Sequence, residues 1–96
     1  MPVLAIFRAE GDSDDLVARY DKTLAAATAT SSARPDVHVC ARTDFGIMIV
    51  DVWASRDDLL RAVIENDEFQ ATWDAAGWPN EAREVYEIHN EGWPAS

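Results

Sequence analysis

The sequence contains a single cysteine, Cys40, so the chain can form neither an internal disulfide bond nor a metal site built from several thiolates. A lack of disulfides is typical of a reducing compartment, and we therefore expect a cytoplasmic protein. The first apolar residues have no basic segment before them, and Arg8 follows too soon for a signal peptide. No apolar run approaches the roughly 20 residues that a membrane-spanning helix requires.

Basic residues are also scarce. The chain has 8 Lys and Arg against 18 Asp and Glu, which gives a net charge of −10. A negative surface repels both a phosphate backbone and an anionic lipid surface. We therefore expect neither nucleic acid nor membrane as a partner. The sequence also lacks nucleotide-binding and metal-binding motifs, and we expect no cofactor and no metal.

The chain is short but rich in apolar residues. Its 96 residues fit one domain, residues 1–96. A chain of this length buries only about 60–65% of its unfolded surface. Nevertheless 48% of the residues are hydrophobic, including four Trp, three Phe and two Tyr. This composition indicates that apolar surface is shared with a second subunit.

The first half of the chain predicts a strand, a helix and a loop. Residues 3–9 form a short apolar run that ends before Gly11, as a strand does. Asp12 or Ser13 can cap the following helix, and an acidic first turn suits the positive end of its dipole. Leu16, Tyr20 and Leu24 recur every four residues as one apolar stripe. The Ser- and Thr-rich residues 28–35 predict a loop.

The second half predicts a hairpin, a helix and a final strand. Residues 36–42 and 47–53 are strand-like, and residues 43–46 form the turn between them. Ser55 is placed to cap a second helix, which Asn66 and Asp67 interrupt and Gly77 ends. Residues 84–89 form the last strand and residues 90–96 a tail. The tail carries Trp93, which we expect to contact a partner subunit.

The resulting order, β-α-β-β-α-β, predicts a ferredoxin-like α+β fold. Its four-stranded antiparallel sheet has the first and third strands in the centre and both helices on one face. The other face carries one of two alternating sets from the third strand. These sets are Met48, Val50 and Val52, or Ile47, Ile49 and Trp53. Either set is too apolar to remain exposed, so we expect a homodimer with the two sheets packed face to face.

The element order, the length and the run VWASRDD at residues 52–58 resemble the dimeric α/β barrel superfamily, most closely its antibiotic-biosynthesis-monooxygenase branch. The resemblance implies that the dimer closes into an α/β barrel and that Trp53 lines a pocket between sheet and helices. It further implies a flat aromatic or polyketide-like ligand. The implied reaction is a cofactor-free oxygenation, or an acid–base isomerisation or cyclisation.

Some positions depart from the patterns of that superfamily. Quinone-forming members have an asparagine where this chain has Ile49, and a tyrosine where it has Leu59. Heme-degrading members use a first-strand asparagine, near Phe7 here, and a second-helix histidine. No histidine lies between His38 and His89, which argues against heme chemistry.

Five residues are candidates for the site. By the resemblance and by strand alternation, we expect the ligand-binding residues to be Trp53, Phe7, Ile49 and Leu59. Asp51 shares a strand face with Trp53 and Ile49. A carboxylate in a central strand is costly unless it is solvated, paired or functional. Asp51 is therefore either a general base toward a phenol-like or enol-like substrate, or one half of a structural salt bridge.

The partner in such a salt bridge would be Arg8 or Arg42. His38 and Cys40 share the other strand of the hairpin and could supply two metal ligands, but the sequence offers no third or fourth. A Cys40–His38 nucleophile pair likewise lacks an evident orienting group.

Two functions therefore remain open. The protein is a cofactor-independent monooxygenase-like enzyme that binds a small apolar or aromatic molecule, or it is a non-catalytic dimeric binding or interaction module. The asparagine and tyrosine that the chain lacks favour the second function, and Asp51 favours the first.

Overall fold

Four strands and a series of helices follow one another in the predicted order in the computed structural model, which describes residues 1–29 and 33–93. The elements are β1 (Val3–Glu10), α1 (Ser13–Thr28), β2 (Val37–Thr43), β3 (Gly46–Trp53), α2 (Arg56–Leu59), a π-helical turn (Leu60–Ile64), α3 (Asp67–Asp74) and β4 (Ala82–Glu87). None of the helices within these ranges is long and apolar enough to cross a membrane.

The sheet has the order β2-β3-β1-β4, and every neighbouring pair is antiparallel. The first and third strands are therefore central, and the predicted ferredoxin-like α+β fold is confirmed. β4 begins and ends earlier than the predicted residues 84–89. Glu87 pairs with Val3, the first residue of β1, and beyond this point one backbone hydrogen bond joins the two segments, from the Ile88 N–H to the Pro2 carbonyl at 3.0 Å.

One face of the sheet is covered by the helices. Ile47, Ile49 and Trp53 lie on this face and are only 1, 5 and 3% exposed. Of the two alternating sets, Met48, Val50 and Val52 therefore lie on the open face. They are flanked there by exposed apolar side chains from both edge strands, namely Val37, Val39 and Tyr86.

The start of α1 is fixed by two different side chains. Asp12 is the cap, and its carboxylate accepts a hydrogen bond from the Asp15 backbone N–H at 3.0 Å. Ser13, the alternative cap, instead donates to the carbonyl oxygens of Thr43 and Gly46 at 3.1 and 2.9 Å. These two contacts of the Ser13 hydroxyl hold the start of α1 against the β2–β3 turn.

The second helical region is not continuous. Ser55 caps α2 as predicted, and its hydroxyl accepts from the Asp58 N–H at 3.1 Å. The predicted interruption is also confirmed, since Asn66 caps a separate helix by accepting from the Phe69 N–H at 3.0 Å. The π-helical turn Leu60–Ile64 lies between them and was not predicted.

The aromatic core lies between α1, α3 and the sheet. Trp78 is only 9% exposed, and its Nε1–H donates to the Trp73 carbonyl at 2.9 Å. Trp93 is 97% exposed. The end of the predicted tail, residues 94–96, and residues 30–32 of the predicted loop lie outside the described residues.

Candidate functional site

A cavity of about 400 Å³ lies between the helix-covered face of the sheet and the helices. All five residues that the sequence singled out line this one space, namely Phe7, Ile49, Asp51, Trp53 and Leu59. Strand alternation brings three of them together on β3, and β1 and α2 add one each. Their contact with a ligand remains a prediction.

The other walls are mostly apolar. The π-helical turn contributes Ala62, Val63 and Ile64, and α3 contributes Phe69 and Trp73. A π turn frees backbone carbonyl groups that need new partners. Two side chains supply them here: Asn66 donates to the Ala62 carbonyl at 3.3 Å, and Gln70 donates to the Val63 carbonyl at 2.9 Å. The irregular helix is thus a well-bonded part of the cavity wall.

Asp51 and His38 form a hydrogen-bonded pair at the wall of this cavity. The two residues are direct partners in the β2–β3 ladder, and Oδ1 of Asp51 is 2.5 Å from Nδ1 of His38. Their side chains are 19 and 31% exposed. The hydrogen bond with Asp51 raises the pKa of His38 above its ordinary value of 6.5, and this outweighs the opposite effect of burial.

The prediction that Asp51 would form its salt bridge with Arg8 or Arg42 is wrong about the partner. Arg8 lies on the open face of the sheet, where it pairs with Glu84. Arg42 is four residues from His38 along β2, at the other end of the hairpin, and pairs with Asp14 at 2.5 Å. Sheet geometry therefore places a histidine, and neither arginine, beside this carboxylate.

Tyr20 extends the pair to a third residue, which the sequence analysis treated only as part of an apolar stripe. Its hydroxyl is hydrogen-bonded to Nε2 of His38, and the two rings lie within 11° of parallel. The side chain is only 8% exposed. Burial, more than the nearby Cys40 and Asp51, raises the pKa of Tyr20 to about 12, so the phenol keeps its proton.

Trp53 carries an unsatisfied polar atom. Its side chain is 3% exposed, and Nε1 has no hydrogen-bond partner among the described residues. Buried indole N–H groups usually find an acceptor. The Trp53 side chain lines the cavity, while Nε1 itself has almost no accessible surface.

Arg83 of β4 is a further charged group at the cavity that was not predicted. Its guanidinium lies 5.6 Å from the centre of the Phe7 ring. It donates to Asp74 at 2.8 Å, to Glu81 at 3.1 Å and to Gln70 at 3.1 Å. The carboxylates of Asp74 and Glu81 balance the positive charge of Arg83, and the three hydrogen bonds hold its guanidinium at the β4 side of the cavity.

The other candidates considered for metal binding or nucleophilic chemistry have different surroundings. Cys40 is half-buried against the core, and burial raises the pKa of its thiol. His89 is exposed and lies beyond the end of β4. Among residues 1–29 and 33–93 no group of three His, Cys, Asp or Glu side chains is arranged to hold a metal ion.

Comparison with known proteins finds similarity in structure alone. No family model matches the chain, and no curated protein sequence matches it. Two solved structures of SnoaB, a cofactor-independent oxygenase from Streptomyces nogalater, superpose on it. An asparagine-to-alanine mutant gives a TM-score of 0.65 at 15% identity, and a structure determined to 1.9 Å gives 0.58 at 14%. Each match covers 94% of this chain and 93% of that chain. The chain therefore shares the fold of these structures.

Proposed function

We propose that the protein binds a flat, mainly apolar aromatic molecule with an acidic hydroxyl group, and removes the proton of that hydroxyl to start a cofactor-free oxygenation. The observation that carries this proposal is the Asp51–His38 pair at the wall of a mostly apolar cavity. Apolar walls with a few convergent polar groups are typical of small-molecule sites.

The aromatic walls favour a flat ligand. Phe7, Phe69 and Trp73 all line the cavity, and their rings pack edge-to-face or stacked with centroids 5.6 and 5.9 Å apart. Rings held in this way present both faces and edges to a bound aromatic molecule. A volume of about 400 Å³ is sufficient for a ligand of two or three fused rings.

The Asp51–His38 pair would act as the base. With Asp51 ionised and His38 neutral, the pair can take up one proton, and the negative charge is then transferred to the ligand. Oδ1 of the carboxylate is bonded to His38, which leaves Oδ2 to receive the ligand hydroxyl. A positioned base of this kind contributes roughly a 10²- to 10⁴-fold rate increase.

Trp53 would stabilise the resulting anion. It lies two residues from Asp51 on the same strand face, so the two Cα atoms are roughly 7 Å apart. An enolate or carbonyl oxygen of the ligand would accept the hydrogen bond of the unsatisfied Nε1–H once a small shift of the indole brings this buried atom to the cavity surface.

Dioxygen would be the oxidant. The electron-rich ligand anion supplies four electrons: a C–O bond forms at a ring carbon, the C–H bond of that carbon and the O–O bond break, and the ligand becomes a quinone. The second oxygen atom leaves as water with the hydroxyl proton taken up by the Asp51–His38 pair and the hydrogen of that carbon. The protein then needs only to deprotonate the ligand, orient it and exclude bulk water. This division of work suits a site with an acid–base pair on mostly apolar walls.

The test uses dihydroxyanthrone and a set of naphthols as probes. Binding is followed by quenching of tryptophan fluorescence, and turnover by oxygen consumption in an oxygen electrode. We expect Asp51→Asn to keep binding within a few-fold and to lower oxygen consumption by about 100-fold or more, as for loss of a general base. Asp44→Asn, a change of an exposed carboxylate in the β2–β3 turn, is the matched control. Unchanged oxygen consumption in Asp51→Asn would refute the role of Asp51.

A non-catalytic binding module is the second candidate. It is favoured by the observation that the charge of Asp51 already has a partner within the protein. The same assay separates the two functions: a wild-type protein that binds these aromatic probes without consuming oxygen is a binding module.

We further propose that the protein is a homodimer that buries the open face of its sheet. Val37 and Val39 are 44 and 48% exposed there, beside Met48, Val50 and Val52. Exposed contiguous apolar surface of this kind usually marks an interface. Light scattering at micromolar concentration should give twice the chain mass of 10.7 kDa, and Val39→Lys should shift the protein toward monomer. A single-chain mass for the wild type would contradict the proposal.

A further inference from the structure

Tyr20 reaches the Asp51–His38 pair from a different layer of the fold. It lies on α1, whereas both members of the pair lie on the sheet. Its ring is fixed between the His38 ring, at a centroid distance of 6.0 Å, and Trp73, at 6.5 Å. A rigid aromatic residue thus holds its hydroxyl at Nε2 of His38.

The proton positions follow from the donors and acceptors present. An ionised Asp51 can only accept, so at the 2.5 Å separation Nδ1 of His38 must carry the proton. In a neutral imidazole Nε2 is then an acceptor, and the Tyr20 hydroxyl, which keeps its proton, is the donor. The opposite tautomer would place two acceptors against each other at Nδ1.

We propose that Tyr20 is a positioning residue of the site: its hydroxyl occupies Nε2 of His38 and holds the ring with Nδ1–H on Asp51, so that the carboxylate and not the imidazole meets the ligand. This inference rests on the proposed role of the Asp51–His38 pair as a base. It assigns contact with the ligand to Asp51 and assigns to Tyr20 and His38 the task of holding that carboxylate.

The charged and titratable groups around His38 come from each neighbouring element. Asp51 faces it from β3 and Tyr20 from α1, while Cys40 is its neighbour on β2 and Asp21 of α1 acts on Tyr20 and Cys40 at longer range. Of these groups only Tyr20 bonds Nε2. Removal of this one hydroxyl therefore frees one nitrogen and leaves the bond to Asp51 in place.

The first test compares Tyr20→Phe with Tyr86→Phe, the only other tyrosine in the chain. The Tyr86 hydroxyl bonds Glu84 on the open face, so its loss controls for removal of a phenol hydroxyl as such. The readout is acylation of histidine by diethyl pyrocarbonate in the ligand-free protein, measured by mass spectrometry for His38 and for the exposed His89. We expect slow modification of His38 in wild type and in Tyr86→Phe, and modification at least ten times faster in Tyr20→Phe.

The second test is ¹⁵N NMR of the two histidines. In the wild type we expect His38 to show the shifts of a protonated Nδ1 and of a hydrogen-bonded Nε2. In Tyr20→Phe we expect the shift of the hydrogen-bonded Nε2 to be lost, and circular dichroism should show that the variant retains the wild-type fold. Wild-type reactivity and wild-type ¹⁵N shifts in a folded Tyr20→Phe variant overturn the proposal. Both measurements need no ligand, so a failure of the proposed oxygenation leaves their outcome unaffected. With an active probe, loss of positioning should lower kcat and leave KM within two-fold.

Discussion

His38 lies directly opposite Asp51 in the antiparallel ladder of β2 and β3, with Nδ1 of the imidazole 2.5 Å from Oδ1 of the carboxylate. Cross-strand neighbours on one sheet face have Cβ atoms about 5 Å apart, which is the spacing at which these two side chains can bond. The pair is half-buried beside an apolar cavity. Its protonation should therefore affect both the stability and the chemistry of the protein.

The stability of the protein should fall as the pH rises past neutrality. The pKa of His38 is raised above its ordinary value of 6.5 in the folded protein, mainly by the hydrogen bond with Asp51. The folded state thus holds this proton more tightly than the unfolded state does, and the gain is complete below about pH 6.5. It is lost as the pH rises through the raised pKa. Urea unfolding at several pH values should show this decrease.

Two variants identify the source of that pH dependence. His38→Gln should flatten the decrease, while His89→Gln, at the exposed second histidine, should retain it. If the free energies of unfolding of wild type and His38→Gln run parallel between pH 5.5 and 8.5, the pair is not the titrating unit.

Oxygen consumption with an active probe should change with pH in the opposite sense. A protonated His38 holds Asp51 as an ion pair and weakens it as a base, whereas a neutral His38 leaves the pair able to accept a proton. The rate should therefore rise as the pH increases through the raised pKa of His38. The profile of kcat/KM against pH is the measurement, and a rate that falls over this range contradicts the assignment.

A substitution at Gly46 should be far more damaging than one at another glycine with positive φ. A Cβ built on Gly46 would lie 2.1 Å from the carbonyl oxygen of Ala9, a contact with backbone that cannot move aside easily. Gly77 has a φ of 67°, but an added Cβ meets nothing within 4 Å. We expect Gly46→Ala to lower the free energy of unfolding by roughly 3 kcal/mol or more, and Gly77→Ala by about 1 kcal/mol. Equal losses in thermal or urea unfolding would show that the clash relaxes.

Much of the fold was predictable because its signals are local. The Asp12 and Ser55 caps, the helix break at Asn66 and the hairpin turn each depend on a few neighbouring residues. The β-α-β-β-α-β order then leaves few ways to arrange a four-stranded sheet. The π-helical turn was not predictable in this way, because it is held by side chains of the following helical segment: Asn66 bonds the Ala62 carbonyl in addition to capping α3, and Gln70 of α3 bonds the Val63 carbonyl.

The site was predictable in part. The two-residue turn at Asp44 and Phe45 pairs Thr43 with Gly46, and counting outward from that pair places His38 opposite Asp51. The register could therefore have been read from the sequence. It shows that Asp51 is the group that orients His38, for which no orienting group was predicted. The contact of Tyr20 with His38 has no such signal, because it depends on how α1 packs on the sheet. The apolar spacing of Tyr20 shows which face of the helix is buried and no more.

Trp53→Phe should separate the ring of this residue from its N–H group. Phenylalanine keeps an aromatic wall at the cavity but cannot donate a hydrogen bond to a ligand oxygen. We expect binding of dihydroxyanthrone to weaken by about 10-fold, the equivalent of one hydrogen bond of roughly 1.4 kcal/mol. The stability of the ligand-free protein should change less, because removal of an unsatisfied buried donor offsets part of the packing that the smaller ring loses. Fluorescence of the three remaining tryptophans can follow the titration. Trp93→Phe, at a side chain that is 97% exposed, is the control and should leave binding unchanged. An affinity in Trp53→Phe equal to that of the wild type would mean that Nε1 of Trp53 does not contact the ligand.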